Sequence, residues 1–190
     1  TLFRSLFLLP TSQIRDKNSV NGEQLIEICN KMRGEFDYIL IDCPAGIEQG
    51  FKTAIAAADY AIVVTMPEIS AVRDADKIIG ELNRADKDHI KLVVNRIRSH
   101  MVESGDMLGM DDINDILAID CIGQVPDDET VVTSTNRGEP VISNKKSLAG
   151  QAYNNIVGRI CGEQIPFLDS VVIKILKYGI LYFVLGIFFS

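Results

Sequence analysis

The sequence predicts an α/β domain with a mostly parallel sheet flanked by helices. Short apolar runs alternate along the chain with longer stretches whose apolar side chains recur at helical spacing, an order typical of strand–helix units. The central runs are continuous and rich in β-branched residues, as in strands buried on both faces. Polar and turn-forming residues follow each run directly. Because open α/β sheets bind ligands at the carboxyl ends of their strands, these residues are candidates for function.

Five runs are predicted to form strands. They cover residues 6–9 (LFLL), 38–41 (YILI), 61–65 (AIVVT), 92–94 (LVV) and 119–125 (IDCIGQV). Since the middle three are continuous and do not alternate between apolar and polar residues, we expect both of their faces to be covered.

Four stretches between the runs are predicted to form helices, at residues 21–32, 70–82, 111–118 and 147–161. The first follows a polar cap and places Leu25, Ile28 and Met32 on one face. The second is predicted to begin at a capping serine, Ser70.

Composition excludes several classes of protein. Apolar residues make up 47% of the 190 residues and charged residues 24%, which excludes disordered and collagen-like chains. Asp and Glu number 26 against 19 Lys and Arg, so the net charge is −7. This argues against a protein that holds nucleic acid by its overall charge. The four cysteines form no C-x-x-C pair, and we interpret them as reduced thiols in a cytoplasmic protein.

The segment FDYILIDCPAG carries the sharpest chemical signal. Four apolar residues followed by Asp42 have the form of a Walker-B strand, whose carboxylate holds Mg²⁺ or its water shell. Pro44, Ala45 and Gly46 form a small-residue turn that lets backbone N–H groups approach a phosphate. The alternative is a buried strand that ends in a capping aspartate.

Two further strand ends are candidates for binding a base. Asn95 and Arg96 follow the run at 92–94, and an amide side chain can both donate to adenine and accept from it. The alternative is a solvated loop, and Pro126, after the last run, carries the same ambiguity. The phosphate loop G-x-x-x-x-G-K-[ST] is absent, and the sequence contains no Gly-Lys pair.

Seven segments, in this order, carry a family resemblance. They are LLPTSQ-x-RDK, FDYILIDCPAGIEQGF, ADYAIVVTMPEISAVRDADKIIG, LVVNRI, GDMLGMDDI, IGQVPDD and NRGEPV. Over about residues 5–168 they resemble the MinD family of deviant Walker-A ATPases. The block DCPAGIE followed by PEIS-x-VRDAD distinguishes this family from the related ParA partition ATPases.

The resemblance implies a P-loop NTPase-like fold and an ATPase that dimerises with ATP and Mg²⁺. Such a protein is cytoplasmic and lies peripherally on the inner face of the plasma membrane. There it positions the division septum by recruiting the inhibitor MinC, and it responds to MinE or another spatial regulator. No nucleic acid is expected as a partner.

The resemblance also implies roles for the residues at the strand ends. Asp42 matches the Walker-B acid near Mg²⁺, and the turn that follows it matches the switch that senses the γ-phosphate. The positions that match the nucleotide site are Pro44, Ala45, Gly46, Asn95, Arg96 and, more loosely, Pro126.

Protein partners are implied at four positions. Glu68 lies where the dimer partner approaches in the family. Ser70, Arg73 and Asp74 match the helix that binds MinC and the regulator.

The sequence departs from the family pattern at its start. The family's N-terminal strand, lysine-rich phosphate loop and first switch have no counterpart here. We therefore expect residues 1–168 to be a partial ATPase domain that does not hydrolyse ATP alone.

Residues 169–190 are predicted to form an apolar tail, where the family has a short basic amphipathic helix. The nineteen residues 171–189 reach the length that a spanning helix needs. Three interpretations stand: an interfacial membrane anchor, a marginal spanning helix, and a foreign or frameshifted end. The candidate membrane-binding residues are Lys174, Lys177, Ile180, Leu181 and Phe183.

Two other functions fit parts of the sequence. A nucleotide-free, membrane-bound binding module would keep the partner helix and the tail without a phosphate loop. A ParA-like partition ATPase would bind DNA, which the acidic charge and the apolar tail argue against.

Overall fold

A computed structural model describes residues 6–10, 20–44 and 46–168. The chain divides after Asp59 into two compact units, an N-terminal unit up to Asp59 and a C-terminal unit from Tyr60. Residues 169–190 lie outside the described part, so the division predicted at residue 169 stays a prediction. Among the described residues, no helix combines the length and the apolar content needed to cross a bilayer.

The N-terminal unit contains a pair of packed helices. Helix α1 (Gly22–Met32) begins at Asn21, whose side chain accepts a hydrogen bond from the Gln24 N–H at 2.9 Å. The Gln24 side chain accepts one from the Asn21 N–H in return, which makes a capping box. Helix α2 (Gln49–Ala57) packs against α1 and buries Cys29, Phe51 and Ala54. The helix predicted at 21–32 is therefore confirmed.

The strands predicted at residues 6–9 and 38–41 are wrong. Both segments lack regular structure and expose apolar side chains, with Leu8 and Leu40 each 87% exposed. A strand forms only when a neighbouring strand pairs its backbone groups. The strand pairs of the described structure all lie in the C-terminal unit. These two runs therefore have the composition of strands but no neighbouring strand, among the described residues, that pairs with their backbone groups.

The C-terminal unit is built on three parallel strands, β1 (Ala61–Thr65), β2 (Ile90–Ile97) and β3 (Cys121–Pro126). They lie in the order β1-β2-β3. Ala61 pairs with Ile90, and Leu92 pairs with Cys121. The predicted parallel α/β sheet is therefore confirmed.

Helices pack against the sheet without covering both faces of every strand. The helices of this unit are α3 (Ile69–Arg84), α4 (Ser99–Ser104), α5 (Met110–Leu117), α6 (Glu129–Asn136) and α7 (Leu148–Ile160), with the 3-10 helix η1 at Val141–Ser143. Helix α3 packs against β1 and helix α7 against β3, while α5 packs against α3. Ile62 and Val64 of β1 are 44% and 62% exposed, while Val63 and Thr65 between and after them are buried. The prediction that both faces of the run at 61–65 are covered is therefore wrong, because in the described structure β1 is packed on one face only.

The contact between α7 and β3 depends on one glycine. The buried cluster there comprises Val93, Val125, Ala149, Ala152 and Ile156. A Cβ on Gly123 would lie 2.4 Å from the Ile156 Cδ1 atom, which close-packed side chains do not tolerate. Gly123 therefore sets how closely the helix approaches the strand.

The helices differ from the predictions at the start of α3 and in three helices that were not predicted, α2, α4 and α6. The N-cap of α3 is Glu68 and not Ser70, because the helix already begins at Ile69. Helix α6 was not predicted, since its sequence ETVVTSTN is rich in β-branched residues of low helix propensity. It begins nevertheless because Asp128 caps it, its side chain accepting a hydrogen bond from the Thr130 N–H.

Candidate functional site

The carboxyl edge of the sheet in the C-terminal unit carries the candidate site. Val94 pairs with Gln124 and Ile97 with Pro126, so β2 holds one residue more than β3 over this span. Asn95 and Arg96 occupy the resulting β-bulge. The prediction that they follow the end of their strand is wrong, because β2 continues to Ile97.

The bulge has a distinctive backbone. Arg96 adopts a left-handed conformation with φ +59°, which is uncommon for a residue with a side chain. The Asn95 Oδ1 atom accepts a hydrogen bond from the Arg96 N–H at 2.9 Å, and this local bond stabilises the turn. Bulges take side chains out of the regular alternation and recur beside active sites. Asn95 and Arg96 therefore stand at the edge in a local geometry that a regular strand would not supply.

Asp127 connects this bulge to the end of β3. The Arg98 Nε atom donates to Asp127 Oδ2 at 2.6 Å, and the Arg96 Nε atom lies 3.9 Å from Asp127 Oδ1. The Asp127 N–H donates to the Ile97 carbonyl oxygen at 2.9 Å. The structure thus brings together Asn95, Arg96 and Pro126, which the sequence predicted as base-binding candidates.

Asp128 holds the next turn in place. Its Oδ1 atom accepts from the Thr130 N–H at 2.8 Å, and its Oδ2 atom accepts from the Ser147 hydroxyl at 2.7 Å and the Ala149 N–H at 3.2 Å. Ser147 is fully buried and is the N-cap of α7. One carboxylate therefore caps α6 and secures the start of α7.

These bonds shift the acidity of Asp128. Partial burial raises its pKa, but the hydrogen bonds from Ser147, Thr130 and Ala149 together outweigh burial and hold the pKa below its ordinary value. The folded protein therefore favours the carboxylate more than the unfolded chain does. This contribution to stability is present above the unfolded pKa of about 3.9 and is lost as pH falls through the folded pKa.

We expect Asp128→Ala to lower the free energy of unfolding by about 2–3 kcal/mol at pH 7, because buried donors lose a charged acceptor. The difference from wild type should shrink as pH falls below about 4. Urea unfolding of the variant and of the wild type, at pH 7 and below pH 4, measures this difference in the free energy of unfolding. The matched control is Asp127→Ala, whose exposed ion pairs should contribute less than about 1 kcal/mol. Equal losses in the two variants would contradict the assigned role of Asp128.

The candidate partner-binding residues lie on α3 and at its N-cap, Glu68. Glu68, Ser70, Arg73 and Asp74 are exposed, and Asp74 accepts a hydrogen bond from Lys77 Nζ at 2.9 Å. The opposite face of the helix buries Val72, Ala75, Ile79 and Leu82. The spacing of Ser70, Arg73 and Asp74 therefore leaves all three side chains available to a partner.

The remaining candidates lie in the N-terminal unit. Asp42 is exposed and follows a segment that is not a strand, so its predicted setting at a strand end is not observed. Burial raises the pKa of the neighbouring Cys43 thiol, and the Asp42 charge adds to the effect. Gly46 has φ +93°, and a Cβ on Gly50 would lie 2.6 Å from Pro44 Cγ. The left-handed backbone at position 46 therefore favours glycine, and Gly50, in α2, lets the helix approach Pro44.

The donor chemistry of Asp42 fits Mg²⁺. Its carboxylate makes no ion pair or hydrogen bond with the rest of the described chain, so its oxygens are available. Nowhere among the described residues do three His, Cys, Asp or Glu side chains gather as a metal site. A carboxylate is the protein ligand that Mg²⁺ usually takes, with phosphate oxygens and water completing the shell.

Some functional candidates escaped the sequence predictions. The ion pair between Arg98 and Asp127 was not predicted. Asp127 lies in the family segment IGQVPDD, but Arg98 follows the segment LVVNRI and had no signal of its own. Ala45 and the tail residues Lys174, Lys177, Ile180, Leu181 and Phe183 lie outside the described residues.

Comparison with known proteins gives a consistent family signal. The model of the ParA family, described as an NUBPL iron-transfer P-loop NTPase, matches residues 18–161. The septum site-determining protein MinD of Synechocystis is 49% identical over 166 residues, which are 87% of this chain and 62% of that protein. MinD of Bacillus subtilis is 50% identical over 162 residues, 85% of this chain and 60% of that protein. The chain thus spans about six-tenths of the length of these relatives.

Solved structures that resemble this chain belong to the same family as the relatives above. The MinD cell division protein of Aquifex aeolicus matches with TM-score 0.76 and 43% identity, over 78% of this chain and 64% of that one. A MinC:MinD cell division complex from the same organism matches with TM-score 0.72 and 45% identity, over 78% of this chain and 60% of the matched one. MinD of Pyrococcus horikoshii in complex with Mg-ADP matches with TM-score 0.64 and 27% identity, over 74% of this chain and 56% of the matched one.

Proposed function

This chain belongs to the ParA/MinD family of P-loop NTPases, and we propose that its whole gene product is a MinD-type ATPase that places the division septum. One observation carries the proposal from the structure. Asn95, Arg96 and Pro126 meet at the carboxyl edge of a parallel sheet, with Asp127 bonded to Arg98 and to the Ile97 carbonyl. This edge is where open α/β sheets bind nucleotides.

In this proposal the edge binds the adenine base. The Asn95 amide donates to the base and accepts from it. Arg96 lies beside the base, positioned by the bulge and by Asp127. Pro126 is buried and supplies a rigid end to β3.

Asp42 serves the metal in this proposal. Mg²⁺, when bound with ATP, neutralises the charge that develops on the transferred phosphoryl group. Asp42 would hold the ion or its water shell, and the turn at Pro44, Ala45 and Gly46 would offer backbone N–H groups to the γ-phosphate. The Mg-ADP complex of the Pyrococcus horikoshii relative supports this choice of ligand.

We assign the exposed face of α3 to protein partners. MinC is the first partner proposed for Ser70, Arg73 and Asp74, which the MinC:MinD complex of a relative supports. MinE or another spatial regulator would use the same face, and Glu68 would contact the second subunit of an ATP-dependent homodimer. The tail at residues 171–190 would place the protein on the inner face of the plasma membrane. Nucleic acid is not a proposed partner, because the net charge is −7.

Binding of MinC tests the proposal. We expect the whole gene product to bind MinC in the presence of ATP and Mg²⁺, and Asp74→Lys to weaken this binding at least about tenfold, since the reversed charge repels what Asp74 attracted. Titration calorimetry with purified MinC measures the dissociation constants of the wild type and of the Asp74→Lys variant. Asp76→Lys is the matched control, because Asp76 is exposed on the same helix but lies about 200° around its axis from Asp74.

The outcomes separate the alternatives. Equal weakening by both substitutions would assign the effect to general charge and remove Asp74 from the interface. MinC binding that ignores ATP would favour the nucleotide-free binding module. Absence of MinC binding in the wild type would contradict the proposed function.

A further inference from the structure

The motif NRGEPV has no role in the function proposed above. It forms the turn between α6 and η1, where Gly138 adopts φ +68° and reverses the chain. Its residues Arg137, Glu139 and Pro140 line a cleft of about 230 Å³, here called the α6–η1 cleft. The other residues that line this cleft are Thr130, Thr133, Ser134, Ser143 and Asn144.

Several polar groups of the cleft already serve the fold. The Thr130 hydroxyl donates to Ser147 Oγ at 2.9 Å, and the Thr133 hydroxyl donates to the Glu129 carbonyl oxygen at 3.2 Å. Asn144 Oδ1 accepts from the Lys146 N–H at 3.1 Å. Packing and local bonding explain these three residues without a ligand.

Ser134 is different. It is nine-tenths buried, yet its hydroxyl meets no hydrogen-bond partner within the described part of the chain. A hydroxyl sealed from solvent in this way would be an unsatisfied buried group, and the described residues contain none. The Ser134 hydroxyl therefore opens into the cleft that the residue lines, where a ligand or water can bond it.

Arg137 and Glu139 supply opposite charges at the same cleft. Both are exposed, and neither forms an ion pair with another described residue, including one with each other. An anion bound at Arg137 would be repelled by the carboxylate of Glu139. A cation bound at Glu139 would likewise be repelled by the guanidinium of Arg137. A ligand that carries both charges satisfies the two groups together.

We propose that the α6–η1 cleft binds a small zwitterion of the α-amino acid class. Its carboxylate bonds the Arg137 guanidinium, whose forked N–H groups match a carboxylate, and the Ser134 hydroxyl. Its ammonium group bonds Glu139. The cleft is smaller than the roughly 300–1,000 Å³ of sites for drug-sized ligands, which restricts the occupant to a compact molecule. This site does not depend on nucleotide binding.

An NMR titration of the ¹⁵N-labelled full chain tests the site. The probes are L-serine, acetate, methylammonium and inorganic phosphate, each raised to the same concentration. We expect saturable amide shifts at residues 134–144 with L-serine, and at least about tenfold weaker binding of the singly charged probes and of phosphate. Equal or tighter binding of acetate or phosphate would overturn the zwitterion, and absence of saturable shifts with L-serine would overturn the site.

Substitutions locate the contacts. Arg137→Gln and Glu139→Gln should each weaken L-serine binding at least about tenfold, and Ser134→Ala about fivefold, with the amide spectrum otherwise retained. The matched control is Arg84→Gln, which removes an exposed arginine on α3. A cleft variant that binds L-serine as wild type does, or a control that loses binding equally, would contradict the assignment.

Discussion

Replacing Asp42 by alanine in the whole gene product is expected to abolish measurable ATP turnover. Asp42 is the proposed ligand of Mg²⁺ or its water shell, and losing charge stabilisation of the phosphoryl group costs several kcal/mol of the barrier. A loss of about 4 kcal/mol corresponds to roughly a thousandfold lower kcat. Phosphate release at saturating ATP and Mg²⁺ measures it.

The fold should survive this substitution. Asp42 is exposed and makes no hydrogen bond or ion pair among the described residues, so little packing is lost and the melting temperature should match wild type. Asp37→Ala is the matched control, since Asp37 is an exposed aspartate five positions earlier, and its turnover should stay at the wild-type rate. Turnover of Asp42→Ala within about threefold of wild type, under roughly 1 kcal/mol, would remove the proposed metal role.

Deleting residues 171–190 is expected to release the protein from membranes. Apolar burial contributes about 25 cal/mol per Å², so the bulky residues of the stretch 180–189 supply roughly 10 kcal/mol. Lys174 and Lys177 should add about 1 kcal/mol each on anionic lipid, and salt should screen only that part. Sedimentation with anionic liposomes, at low and high salt, compares the intact chain with the shortened one.

The matched control keeps the apolar residues and removes the charges. Lys174→Gln with Lys177→Gln should still sediment with liposomes, and its binding should depend less on salt than that of the intact tail. An intact chain that stays in the supernatant as a monomer would rule out a membrane anchor. Binding that disappears at high salt would rule out the apolar contribution.

Local sequence was sufficient for part of the fold. Asn21 and Ser147 cap helices where polar residues precede an apolar periodicity, because a cap is satisfied within a few residues of the chain. The runs at 61–65 and 92–94 form strands of a parallel sheet. Their β-branched composition and the helices between them suit that architecture. The segments quoted from the sequence were also sufficient for the family.

The candidate site was predicted less completely. Asn95, Arg96 and Pro126 were chosen correctly as neighbours at one edge, because parallel strands end on the same side of a sheet. The bulge that holds the first two was not visible in the sequence, since it arises from the register between β2 and β3. The link between Arg98 and Asp127 joins residues 29 positions apart, which no local pattern records.

By itself the sequence determined the α/β class, the starts of α1 and α7 and the family, because periodicity, capping and motif spacing act over short distances. Only the tertiary structure decided which apolar runs became strands. The runs at 6–9 and 38–41 match strands in composition, but a strand needs backbone partners from elsewhere in the chain. The tertiary structure also assigned Asp128 to the starts of α6 and α7, since its partner Ser147 lies 19 positions away. Hydrogen bonds between distant segments depend on the packed fold, and a linear pattern does not contain them.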